Sequence, residues 1–157
     1  MWSAVCAAQA PDKEAAAILE LGGAVSHSLT EGGTSLGPNI AVEFMAVQHW
    51  LELEVGITPL FRTHRTAEWS SDVLFKRPWE LSKHVEFMAG IGPEWIHTRQ
   101  AGTGRNALAA EAVVDFMFWP GPNKRFGFFV EPGYEYRLGL AHENSVGFTA
   151  GLLIAIR

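Results

Sequence analysis

The chain has 157 residues, enough for one domain, and with 48% hydrophobic and 18% charged residues it is neither disordered nor unusually polar. Its 17 acidic against 12 basic residues leave a net charge of −5 and no basic stripe, which excludes a nucleic-acid partner. No apolar run of about 18 residues is present to form a transmembrane helix, which leaves membrane-crossing strands open.

The single cysteine, Cys6, excludes an internal disulfide framework and a Cys-rich zinc site. The opening "MWSAVCAAQA" is small and apolar, and Ala8-Gln9-Ala10 has the A-x-A form of an export-signal cleavage site. Residues 1–13 are therefore expected to be a signal remnant or a disordered N-terminus, and 14–157 a single domain.

Helical spacing is confined to "KEAAAILEL", which runs into Gly22-Gly23. Alternation recurs instead, and it predicts strands over about 17–29, 37–47, 50–61, 69–78, 84–98, 105–119, 125–137 and 144–157. Such strands exceed the usual length of about 5 or 6 residues and meet the roughly 9 to 11 that a tilted strand needs to cross a bilayer. Connections at Gln48-His49, Ser82-Lys83 and "PGPNK" read as short, and those at "TEGGTSLG", "RTHRTAE", "RQAGTGR" and "LGLAHE" as longer loops. An up-and-down outer-membrane barrel segregates its loops in this way, and an even strand count puts both termini on the periplasmic side. Pro59, Pro93 and Pro132 fall inside strands of a sheet with no edge, so bulges are expected there.

"WLELEVGITPLF" shows the two faces clearly: Glu52, Glu54 and Gly56 on one, Leu51, Leu53, Val55 and Ile57 on the other. Across all strands one face is apolar and the opposite face is small or charged. In a soluble, lipocalin-like carrier the apolar face would turn inward and glycines would weaken exposed strands. In a membrane barrel the glycines make room in a bore barely wide enough for side chains. The second reading predicts an all-β, eight-stranded antiparallel up-and-down transmembrane barrel with a polar, plugged interior. Trp50, Phe61, Trp69, Trp79, Trp95, Trp119, Tyr134 and Tyr136 lie toward strand ends, as membrane-interface aromatics do.

The segments "HWLELEVGITPL", "VEFMAGIGPEW", "DFMFWPGP", "FGFFVEPGYEY" and "SVGFTAGLLIAI" together resemble a family of small bacterial outer-membrane β-barrel proteins of unassigned function, over about residues 17 to 157. The end of the chain, Thr149 to Ile156, is similar to the signal that the barrel-assembly machinery reads, though Arg157 stands in place of a final aromatic. The resemblance implies a fold and a location in the bacterial outer membrane; outer-membrane lipids and the assembly machinery are the expected partners, and a monomer the expected state. It implies no activity.

The parity turns Glu20, Glu43, Glu52, Glu54, Asp72, Glu86, Glu94, Glu111, Asp115, Glu131 and Glu135 inward, with Lys76, Arg125, Arg137 and Arg157 as their only bases. Hairpin registers suggest Lys76 opposite Glu86, Arg157 near Glu20 with Arg125 at the same level, and Arg137 beside Glu135. Buried carboxylates must pair or be neutralised. Three readings follow: a closed polar plug with a structural or recognition role, a cation-attracting or narrowly conducting lumen, and a lipid-modifying enzyme. The enzyme would draw on Ser26, His27, Ser28, His97, His142 and Ser145, but their spacing matches no catalytic motif, so no catalytic residue is assigned. No metal-ligand spacing and no cofactor motif is present either.

Overall fold

The computed structural model describes residues 15–62, 66–100, 102–139 and 142–157; the expected signal remnant, including Cys6 and Ala8-Gln9-Ala10, lies outside the described residues. The strands are β1 (Ala17–Ser28), β2 (Thr34–Val47), β3 (Leu51–Arg62), β4 (Thr66–Ser82), β5 (Val85–Gln100), β6 (Thr103–Phe118), β7 (Phe126–Leu138) and β8 (Asn144–Ile156). Each pairs antiparallel with its sequence neighbours, and β8 returns to β1 to close the barrel.

Closure leaves no open sheet edge, so the strand backbones find their partners within the wall. At the β1–β8 seam Gly22 faces Gly151, and a Cβ on Gly151 would stand 2.3 Å from the Leu21 carbonyl oxygen. Glycine at this pair lets the two strands approach closely where the sheet meets itself.

The apolar face is outside. Val55 and Ile57 are 47% and 50% exposed, whereas Glu54, next to Val55 on the opposite face, is 3% exposed. The same belt runs round the barrel through Leu21, Ile40, Phe75, Ile91, Leu108, Phe128, Phe148 and Leu152, all exposed. This orientation overturns the soluble-carrier alternative, which needed the leucines at the centre.

Two expectations fail. Loop lengths do not segregate, because "RTHRTAE" and "RQAGTGR" mostly continue the sheet: β4 begins at Thr66, β5 runs to Gln100 and β6 starts at Thr103. Beyond the apolar belt both faces of a strand can be polar, and threonine favours strands, so the ladder extends where composition suggested a loop. The prolines also need no bulge. Pro59 pairs with Trp69, Pro93 with Ala110 and Pro132 with Phe148 in unbroken register. On the other side of each proline the ladder skips a short stretch and resumes in the same register, as from Ile40↔Ile57 to Leu36↔Phe61. The missing N–H therefore costs local pairing but leaves side-chain alternation intact. The register shifts occur elsewhere, at Met45/Val47 and Glu80/Ser82.

Candidate functional site: an ionic bore between a plug and a vestibule

The bore is built in layers. At the end where β1 begins and β8 finishes, Met88, Met117, Trp119, Phe129 and Leu153 pack together, with Ile18 and Ala155 against them. These side chains occupy inward-facing positions and fill the cylinder with apolar volume. Trp119 is 2% exposed and its indole Nε1 donates to Glu86 Oε2 at 3.0 Å, so it is an interior residue and not the interface aromatic expected from sequence. Glu86 also meets Lys124 Nζ. Lys124 lies in the β6–β7 connection; partial burial opposes its charge, but the Glu86 carboxylate, with Glu80 beyond, holds the ammonium above the ordinary lysine range.

Above the plug sits the ionic layer. Lys76 is fully buried and its Nζ reaches Glu131 Oε2 at 2.6 Å, Asp115 Oδ2 at 3.3 Å and Glu54 Oε2, joining β4 to β3, β6 and β7. The register explains how it fits. Lys76 faces Gly90 on β5, and a Cβ there would lie 2.7 Å from Lys76 Cγ. Glu20, Glu43 and Asp115 form a second group on the same level, with carboxylate oxygens all within 4.8 Å of one another. This placement corrects the expected pairing of Lys76 with Glu86, which instead faces Glu80.

The next layer is a small chamber of about 60 Å³ lined by Glu54, Asp72, Glu94, Glu111, Glu131 and Glu135, with Asn39, Thr58 and Ser70 among the neutral groups. Asn39 Nδ2 donates to Thr58 Oγ1 at 2.9 Å. Above it Arg137 gathers Glu68 at 2.6 Å, Glu135 at 2.5 Å and Glu143 at 3.3 Å. The expected Arg137–Glu135 contact is thus present, but with two further acids. Over this cluster opens a vestibule of about 600 Å³ whose wall includes Arg62, Arg105, Glu31, Glu143 and several Ser and Thr hydroxyls.

Of the expected interior set, Glu20, Glu43, Glu54, Asp72, Lys76, Asp115 and Glu131 are buried, and Glu52, Glu86, Glu111, Glu135 and Arg137 are half-buried. Arg125 and Arg157 are not in the bore. Arg125 is exposed with its guanidinium 5.6 Å from the Phe126 ring, and Arg157 turns to the Asn123 carbonyl. Both stand at the rim, where water solvates the charge more cheaply than the apolar plug would.

The other aromatics face outward. Trp50, Phe61, Trp69, Trp79, Trp95 and Tyr134 are exposed and Tyr136 is half-buried. Arg77 lies 5.9 Å from the Trp50 ring and 5.6 Å from Trp79. Among the rim histidines, His27 Nδ1 contacts Thr34 Oγ1, His97 contacts Asn106, and His142 contacts the Tyr136 hydroxyl. The Ser28 hydroxyl accepts the Glu31 N–H, while Ser145 is buried. These are separate contacts, and they do not assemble a nucleophile, base and orienting acid.

The apolar plug is the feature missed from the sequence. Its signal was available: Met88, Met117, Phe129 and Leu153 are apolar residues on the inward parity of β5, β6, β7 and β8.

No protein-family model matches the sequence, and no curated protein matches it significantly. Solved structures share the fold. Neisserial surface protein A superimposes with a TM-score of 0.71 at 11% identity, covering 90% of this chain and 97% of that one. The attachment invasion locus protein Ail of Yersinia pestis gives 0.61 at 16% identity, covering 90% and 98%. A de novo designed transmembrane β-barrel gives 0.54 at 12% identity, covering 92% and 99%. At these identities the likeness is one of architecture: the chain has the fold of small transmembrane β-barrels.

Proposed function

We propose that the protein is a bacterial outer-membrane barrel, closed to conduction, with a structural or recognition role. The observation that carries this reading is the filled bore: an apolar plug at one end and, above it, Lys76 tied to carboxylates from three other strands. An apolar belt outside supports residence in a bilayer, where every strand backbone must be paired within the protein. The aromatics Trp50, Phe61, Trp69, Trp79, Trp95, Tyr134 and Tyr136 would sit at the headgroup level. Both termini would be periplasmic, with the vestibule facing out as the surface available to a polar partner. A closed wall has no edge for pairing with a second copy, which favours a monomer. The β8 sequence ending at Ile156 would be read by the assembly machinery.

Cell fractionation followed by a heat-modifiability gel tests location and closure together. The folded protein should partition with outer membranes and shift in mobility on boiling. Recovery in plain buffer without detergent would sink the reading, and stable single-channel currents would remove the claim that the bore is shut.

A further inference from the structure

The acids of the bore fall into those that have a basic partner and those that do not. Lys76 takes Glu54, Asp115 and Glu131, and Arg137 takes Glu68, Glu135 and Glu143. Between these two clusters lies the chamber of about 60 Å³, and Asp72, Glu94 and Glu111 on its wall form no ion pair among the described residues. Asp72 and Glu94 are neighbours across the β4–β5 ladder, both buried, and Asp72 Oδ2 and Glu94 Oε2 have no hydrogen-bond partner. A neutral group points the same way. Asn39, 8% exposed, lines the chamber from β2 with its Oδ1 also unpartnered, although its Nδ2 is bonded to Thr58.

Unpaired acceptors from a carboxylate pair and an amide, gathered round a space that can hold an ion and a few waters, are a cost without a ligand and a donor set with one. All the donors are oxygen, with no histidine or cysteine on the wall, which selects a hard cation of the calcium or magnesium class. Among the described residues only Glu20, Glu43 and Asp115 bring three acidic oxygens within 4.8 Å of one another. The chamber acids are spaced more widely, which suits an ion that keeps part of its water shell. The tighter trio is the poorer candidate, because the Lys76 ammonium already stands 3.3 Å from Asp115 and neither Glu20 nor Glu43 lines the chamber. Access comes from above: Ser26, Leu60 and Ser145 line both the chamber and the vestibule and form the collar between them.

We propose that this chamber is a partly hydrated divalent-cation site, held by Asp72, Glu94, Glu111 and Asn39 Oδ1 and loaded through the collar from the vestibule. It does not require that the barrel conduct, and it stands or falls separately from the location of the protein.

The test uses the full folded barrel in detergent micelles, free of lipopolysaccharide, with heat-modifiability as the check on folding. Calcium chloride and magnesium chloride are titrated calorimetrically against a sodium chloride background. One saturable site is expected for at least one of the two ions, with affinity falling at least tenfold in the near-isosteric pair Asp72→Asn with Glu94→Gln. Glu31→Gln, which alters a vestibule acid outside the Arg137 cluster, should leave it unchanged. Manganese(II) broadening of amide resonances locates the ion without any substitution, and should centre on residues 39, 72, 94 and 111. Absence of saturable binding, loss of binding in Glu31→Gln, or broadening centred on residues 31 and 143 would each overturn the proposal.

Discussion

Lys76 and Gly90 face each other across the β4–β5 ladder, and the absent side chain of one makes the space for the stem of the other. That pairing places an ammonium group in the middle of the bore, where carboxylates of β3, β6 and β7 converge on it. Gly90→Ala would press a methyl against Lys76 Cγ, near the root of the side chain, and within 3.3 Å of Val113 Cγ2. Overpacking of this kind costs about 1 to 3 kcal/mol. Urea unfolding in lipid vesicles should show that loss, while Gly102→Ala at the rim, with nothing within 4 Å but a positive φ, should lose only the smaller conformational cost.

Removing the ammonium itself is the more severe change. Lys76→Met keeps most of the stem and leaves Glu54, Asp115 and Glu131 without their shared cation. Breaking a buried ion pair from one side costs about 3 to 5 kcal/mol, because the remaining charge is uncompensated. The expected result is a barrel that folds poorly at neutral pH and recovers at acidic pH, where protonated carboxyls no longer need the partner. A Lys76→Met barrel as stable as the parent at pH 7 would show that the cluster does not hold the bore together.

Lys124 carries the same charge in the β6–β7 connection, where it is only partly buried. Partial burial disfavours its ammonium, yet the Glu86 carboxylate more than offsets this and raises its pKa. A group whose folded-state pKa is raised contributes stability that is fully present below the unfolded value, about 10.4, and lost as pH rises through the higher folded value. Loss of the Lys124 proton should therefore weaken the Glu86 network in strongly alkaline solution. Glu86→Gln should weaken that alkaline dependence, leaving Glu80 as the remaining acid beside Lys124, and Trp119 fluorescence reports it because its indole shares the Glu86 carboxylate. An alkaline transition unchanged in Glu86→Gln would assign it to another group.

The sheet was legible because its period is two and the bilayer inverts its faces, so Glu54 and Val55 suffice to show which side is wet. Parity survived the prolines for a reason the sequence does not display: each interrupts pairing on one flank while the other flank keeps register. Ion partners were harder to read. Lys76 meets residues as far along the chain as Glu131, and such contacts depend on barrel diameter and strand stagger, not on hairpin neighbours. Trp119 was misplaced because tryptophan at a strand end serves equally as an interface anchor or a stopper, and only its inward parity distinguishes the two.

The plug makes the final prediction. If Trp119 and Phe129 seal the terminus end, shortening both to alanine should open that end while the Lys76 cluster still spans the bore above. Truncating two buried aromatics costs about 3 to 5 kcal/mol each, so the variant must be examined in thick, stabilising bilayers and confirmed as folded by heat-modifiability. The parent should be silent in planar bilayers. The double variant should remain silent or flicker, because the ionic layer still blocks the path, and steady cation current should require that layer to be weakened as well. That order follows from two barriers in series along one axis, each sufficient to stop an ion. Steady current from the double variant alone would show that the ionic layer is permeable and that the apolar plug is the only gate.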